Sequence, residues 1–184
     1  MVDQPREPRR RRRPATPREA KALAHPLRIR ILRECFIREL TNKEIADRLE
    51  VNPGTVLYHV RVLVDAGFLV PGEPRNGVGG ALEKPYRATG ETWWLDDPLS
   101  DTEGGTTPVL QAFRDEVGEV PPDAVGNCAR FVLHLNEEEV AELGARVLAV
   151  IDEYVATDDQ RRDRPVHGGM FLLHRHPDQA HPGT

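Results

Sequence analysis

Before residue 70 the apolar positions recur at helical spacing, and residues that start or stop helices bound each stretch. Between Asn52 and Gly67, Val56, Val60 and Leu63 fall at i, i+4 and i+7 with Val64 beside them, a stripe along a helix of about four turns. Asn52 suits the N-cap, Pro53 the first helical position and Gly67 the C-terminal cap. The opposite face carries Gly54, Tyr58 and Arg61, flanked by Leu57 on one side and by Thr55 and Val62 on the other, so it is built to reach outward. Just upstream, Thr41 and Glu44 form a capping box ahead of Ile45, Ala46 and Leu49, and only Val51 and Asn52 separate this short helix from the next. Arg18 to Leu40 reads as a short helix broken at His25-Pro26, then a longer one with Leu27, Ile31 and Cys35 on one face and Leu32 and Phe36 beside it.

After Gly67 the period changes. Phe68-Leu69-Val70, a Pro/Gly/Asn stretch from Pro71 to Gly80, and Ala81 to Ala88 predict a β-hairpin with a long glycine-rich tip, and Pro85 points to an edge strand. Two short helices joined by a tight turn, the second amphipathic and well capped, are the pattern of a helix-turn-helix whose second helix enters the DNA major groove. The hairpin is then a wing, with Arg75, Lys84 and Arg87 placed to meet phosphates.

Ala24-His25-Pro26-Leu27-Arg28-Ile29-Arg30-Ile31-Leu32, then Thr41 to Leu49, then Asn52 to Leu69 resemble the ArsR-type winged-helix regulators; the resemblance covers roughly Arg18 to Ala88, somewhat under half of the chain. It implies a homodimeric, DNA-binding transcriptional regulator, often a repressor released by a small effector. The paired cysteines that metal-sensing members carry ahead of the motif are absent, so the effector does not carry over. On this reading double-stranded DNA meets Thr41, Asn52, Gly54, Thr55, Leu57, Tyr58 and Arg61. His59 lies nearer the buried side, and the resemblance makes it a phosphate-contact candidate with packing as the alternative.

The second half is patterned differently. Glu91 to Thr107 holds Trp93 and Trp94 among acidic and glycine residues and reads as a linker whose tryptophans pack. Val109, Leu110, Phe113 and Val117 make a short amphipathic helix, Ala129 to Leu135 alternates like a strand, and Asn136 caps a long helix opened by Glu137, Glu138 and Glu139. Along it Val140, Leu143, Val147, Ile151 and Tyr154 form a seam that resembles a dimer contact. Gly169 to His174 reads as another strand. The expected class is mainly α with small β (α+β): a basic arm at 1–17, a winged helix-turn-helix at 18–90, a linker at 91–107, and a C-terminal accessory or dimerisation domain at 108–184 made of a helix plus β-α-β. Two strands and one helix are too little to stand alone, so that unit should complete its core against the helix at 109–117, a partner subunit or both.

Charge sharpens the division. Of the charged residues, 18 Lys/Arg stand against 11 Asp/Glu up to Gly90, a net of +7, and 7 against 19 beyond it, a net of −12. The front half can take up phosphates, and the back half should point away from DNA. Arg9, Arg10, Arg11, Arg12 and Arg13 between prolines form an arm expected to be disordered when free, read as following a DNA backbone or entering a narrow minor groove, with an unspecific solvated tail as the alternative. Two distant cysteines, no signal-peptide pattern and no apolar run approaching about 18 residues predict a cytoplasmic protein with no membrane segment. Cys35 falls on a buried stripe and reads as a core thiol. His134, His167, His174, His176 and His181 gather in the tail, and His174 and His176 would share a strand face; with no Cys or carboxylate completing a recognisable spacing, solvent or structural histidine is the favoured reading over metal, and no cofactor is expected. No nucleophile elbow, phosphate-cradling loop or helical zinc motif appears, which argues against an enzyme. The rival function is a protein-interaction module on the same fold without specific DNA binding; a third reading places an effector pocket near Trp93 and Trp94.

Overall fold

The computed structural model describes residues 11–77, 80, 82–96, 98–99 and 105–175. It divides into two compact units, the first ending at Val120 and the second starting at Pro121.

The first unit begins with β1 (Arg13–Pro14), then α1 (Pro17–Leu23), α2 (Pro26–Ile37), β2 (Leu40–Thr41), α3 (Asn42–Leu49) and α4 (Pro53–Asp65). The hairpin follows as β3 (Leu69–Pro71), β4 (Arg75–Asn76), β5 (Leu82–Glu83) and β6 (Pro85–Ala88), then β7 (Leu95–Asp96) and α5 (Thr107–Gly118). Each boundary has a chemical cause. Thr16 and Thr41 make full capping boxes with Glu19 and Glu44, and the Asn52 side chain accepts from the Gly54 amide at 2.8 Å. Gly67 takes φ +79° just past α4, where the amides of Gly67 and Phe68 turn back onto the carbonyls of Val64 and Leu63. Only a residue without Cβ adopts that conformation without strain.

Strands β2, β6 and β3 form an antiparallel sheet in that order, with Leu40 opposite Tyr86 and Leu69 opposite Ala88; β4 and β5 carry the hairpin further. Ile31, Cys35, Ile45, Val56, Val60, Leu63, Phe68 and Leu69 make the core under the three helices. The α+β class and the winged helix-turn-helix therefore stand as the sequence predicts.

Several local expectations change. Pro85 sits on the central strand, not an edge. It is tolerated because it is the first residue of β6, and its carbonyl still accepts from Gly72 at 2.9 Å. Phe36, placed beside the apolar face of α2, is exposed. The stretch read as linker contributes Leu95 and Leu99 to the core. Helix α5, grouped with the C-terminal part by sequence, packs on α2, where Arg33 pairs with Glu116 and Arg30 with Glu119 at 3.7 Å.

The second unit holds α6 (Glu137–Val155), started by an Asn136 and Glu139 capping box as its sequence predicts. The β-α-β expectation is corrected on its flanks: residues 129–135 and 169–174 form no strand, and among the described residues neither has a partner strand to complete its backbone hydrogen bonds.

Candidate nucleic-acid interface

Burial of Val56, Val60 and Leu63 fixes the rotation of α4 and leaves Gly54, Thr55, Tyr58 and Arg61 exposed on its outer side. Tyr58 is 62% exposed, a large aromatic facing outward with its ring edge-on to that of His59 at 5.1 Å. Leu57 is half-buried on the flank, and Asn52 is exposed at the N-cap. The Asn42 side chain donates to the Pro53 carbonyl at 2.9 Å and so ties α3 to the start of α4. These residues converge on one helix face, as the sequence places them. Thr41 does not join them: it is buried, with its hydroxyl and amide both committed to the capping box.

His59 goes the other way. It is 6% exposed, its ring lies 4.5 Å from that of His25, and its Nδ1 is 3.4 Å from the Arg28 guanidinium. Of the two readings left open for it, the geometry supports packing. Arg28 is itself buried and donates to the Lys21 carbonyl at 2.7 Å and to the Ala22 carbonyl, so a fixed cation closes the C-terminal end of α1 while touching α4. Sequence reading missed this cluster. The available signal was the spacing of Arg28 from Ile31, Leu32 and Cys35, which puts a guanidinium on the apolar stripe.

Both imidazoles are held below their ordinary value of 6.5: His25 by burial and then by the Arg28 charge, His59 by burial, then His25, then Arg28. A base with a depressed folded pKa binds more protons unfolded than folded in the window between the two values. Its stabilising contribution is complete above about pH 6.5 and is lost as pH falls below that. The urea midpoint is expected to drop between about pH 7.5 and about pH 5.5, and to drop less in a His59→Gln variant; equal wild-type midpoints at both values would count against the cluster's role.

The wing cations are exposed, and two of them are engaged with acids. Arg75 bonds both carboxylate oxygens of Glu44 at 2.6 and 2.8 Å, and Arg87 lies 3.6 Å from Glu39; Lys84 is exposed. Exposed pairs of this kind are worth about 0.2–1 kcal/mol, so exchanging a carboxylate for a phosphate costs little. The described end of the arm lies against its own unit. Arg12 lies over Trp93, 4.8 Å from the ring centroid, and Arg13 grips Glu19 through two bonds at 2.6 and 2.9 Å while β1 runs parallel to β7. The Arg13 hydrogen bond in turn holds the Glu19 carboxyl down at about 2. Arg11 is exposed, and Arg9 and Arg10 lie outside the described residues.

In the second unit Leu143, Val147 and Ile151 are half-buried and Val140 and Tyr154 exposed. Of the tail histidines, His134, His167 and His174 are exposed, and His176 and His181 lie outside the described residues. Among the described residues no group of three or more His, Cys, Asp or Glu could hold a metal ion, and no helix is long and apolar enough to cross a membrane. Cys35 is buried, and burial pushes its thiol up to about 12, which makes it an inert core group.

Residues 23–71 match a helix-turn-helix domain family. A solved structure, the homodimeric winged helix-turn-helix DNA-binding domain (residues 1–100) of a possible ArsR-family transcriptional regulator from Mycobacterium bovis, is 26% identical; the likeness covers 55% of this chain and 80% of that one, with a TM-score of 0.33. No curated protein matches the chain.

Proposed function

We propose that this chain, a DNA-binding transcription regulator built on a winged helix-turn-helix of ArsR type, acts as a homodimeric repressor on a pseudo-palindromic operator. The observation that carries the reading is the outer face of α4, where Gly54, Thr55, Tyr58 and Arg61 stand exposed on a helix whose other face is locked into the core. Two copies would set their α4 helices in successive major grooves about 34–36 Å apart, with the wings on flanking backbone. Gly54 allows close approach at the helix start, Thr55 and Tyr58 contact bases or phosphate, Leu57 reaches a thymine methyl, and Arg61 seeks guanine or phosphate. Asn52 lies at the helix N-terminus, where backbone amides favour phosphate. Arg75, Lys84 and Arg87 take phosphates after releasing Glu44 and Glu39, and Arg9, Arg10 and Arg11 extend the contact along the backbone or minor groove, joined by Arg12 and Arg13 only if these leave Trp93 and Glu19. Thr41 and His59 support this surface from behind. Control by a small effector belongs to this reading through the ArsR resemblance alone.

The test is selection of bound sequences from random duplex DNA at near-physiological salt, with wild type beside Arg61→Ala. Wild type is expected to enrich an inverted repeat with half-sites about one helical turn apart. Arg61→Ala should lose about 1–3 kcal/mol and relax preference at one position per half-site if Arg61 reads a base, or weaken all sequences alike if it meets phosphate. A wild type that enriches nothing would hand the surface to the rival protein-interaction reading.

A further inference from the structure

The second unit has a well-formed helix and no interior. Among the described residues from 121 to 175 none is buried, although α6 carries a complete capping box with bonds of 2.8 and 2.9 Å. Phe131, Val132, Leu133 and Leu135 stand exposed ahead of the helix, Val140, Val150 and Tyr154 on it, and Val166, Met170 and Leu172 after it, with Val132 at 78%. Scattered apolar residues are ordinary on a surface; ten large ones concentrated in some forty residues, with nothing buried beneath them, are a core lacking its other half.

We propose that this half comes from a second copy of the chain, segments 129–135 and 169–174 of both copies aligning as strands of one sheet against which the two α6 helices pack. The inference rests on the homodimer of the proposed function and names the surface that makes it. Strand number selects the occupant: one chain supplies two segments, below the three strands an independently stable sheet needs, and two copies supply four. A two-fold axis also sets the segment at the centre of the sheet against its own kind, so Ala129, Phe131, Leu133 and Leu135 can share a face with their counterparts without a partner of different sequence. Ten exposed large apolar side chains per copy fit within the about 20–30 residues a side of a standard stable interface. Backbone groups at 129–135 and 169–174 that find no partner strand among the described residues find one in the shared sheet.

The experiment uses the full chain, wild type beside a Leu133→Asp, Leu172→Asp double variant, and reads sedimentation mass and backbone hydrogen exchange at micromolar concentration. Both substituted side chains are exposed in the single chain, so the substitutions leave its own packing intact. Wild type is expected to sediment at twice the chain mass with slow exchange across 129–135 and 169–174. The variant is expected to sediment at one chain mass and to lose that protection, while α2 and α4 stay protected. A monomeric wild type, a variant that stays dimeric, or segments that remain protected in a monomer would each overturn the proposal. A wild type that selects an inverted repeat in the DNA test, with a variant that keeps its dimeric mass, would leave the regulator reading standing and remove this one.

Discussion

Replacing Arg28 with methionine is expected to lower the stability of the winged-helix unit by about 2–4 kcal/mol. Methionine keeps most of the buried stem and removes only the guanidinium. What is lost is the pair of charge-assisted bonds to the Lys21 and Ala22 carbonyls, worth about 1.5–3 kcal/mol each. What is recovered is part of the cost of holding a cation away from water, which brings the net below the sum of the two bonds. The end of α1 and the His59 side of α4 lose their common anchor together, so exchange should quicken in α1 and around His59 before it does in the sheet. A denaturation midpoint within about 0.5 kcal/mol of wild type, the range of an ordinary surface change, would show that water satisfies those carbonyls equally well.

Leu63→Ala should cost about 2–5 kcal/mol, since Leu63 is fully buried and truncation removes transfer energy and leaves a cavity. Against a total of about 5–15 kcal/mol that is a large share, and a marginal unit would be partly unfolded at working temperature. Leu63 lies on the inner face of α4, opposite Tyr58 and Arg61, so the folded fraction should enrich the same DNA sequence as wild type. Stability loss with an altered sequence preference would mean that the outer face depends on core packing more closely than the geometry implies.

These two substitutions mark the line between what each level of description holds. The sequence by itself determined the helix boundaries of the motif, because capping is local chemistry: Thr41 with Glu44, Asn52 with Pro53, and Gly67 each act within a few residues of themselves. It also determined which way α4 faces, since Val56, Val60 and Leu63 leave one rotation that buries them and brings Tyr58 and Arg61 outward. Only the tertiary structure decided what depends on distant partners. That Arg28 is buried follows from where α1 ends, that His59 turns inward from the neighbouring His25, and that Arg12 and Arg13 lie against their own unit from Trp93 and Glu19. Pro85 became central because β2 came back to pair beside it, a contact more than forty residues away in the chain. The alternating segments at 129–135 and 169–174 show the same limit from the other side. Alternation declares that a segment can be a strand, but a strand exists only where another supplies its hydrogen bonds, and the described residues of one chain do not.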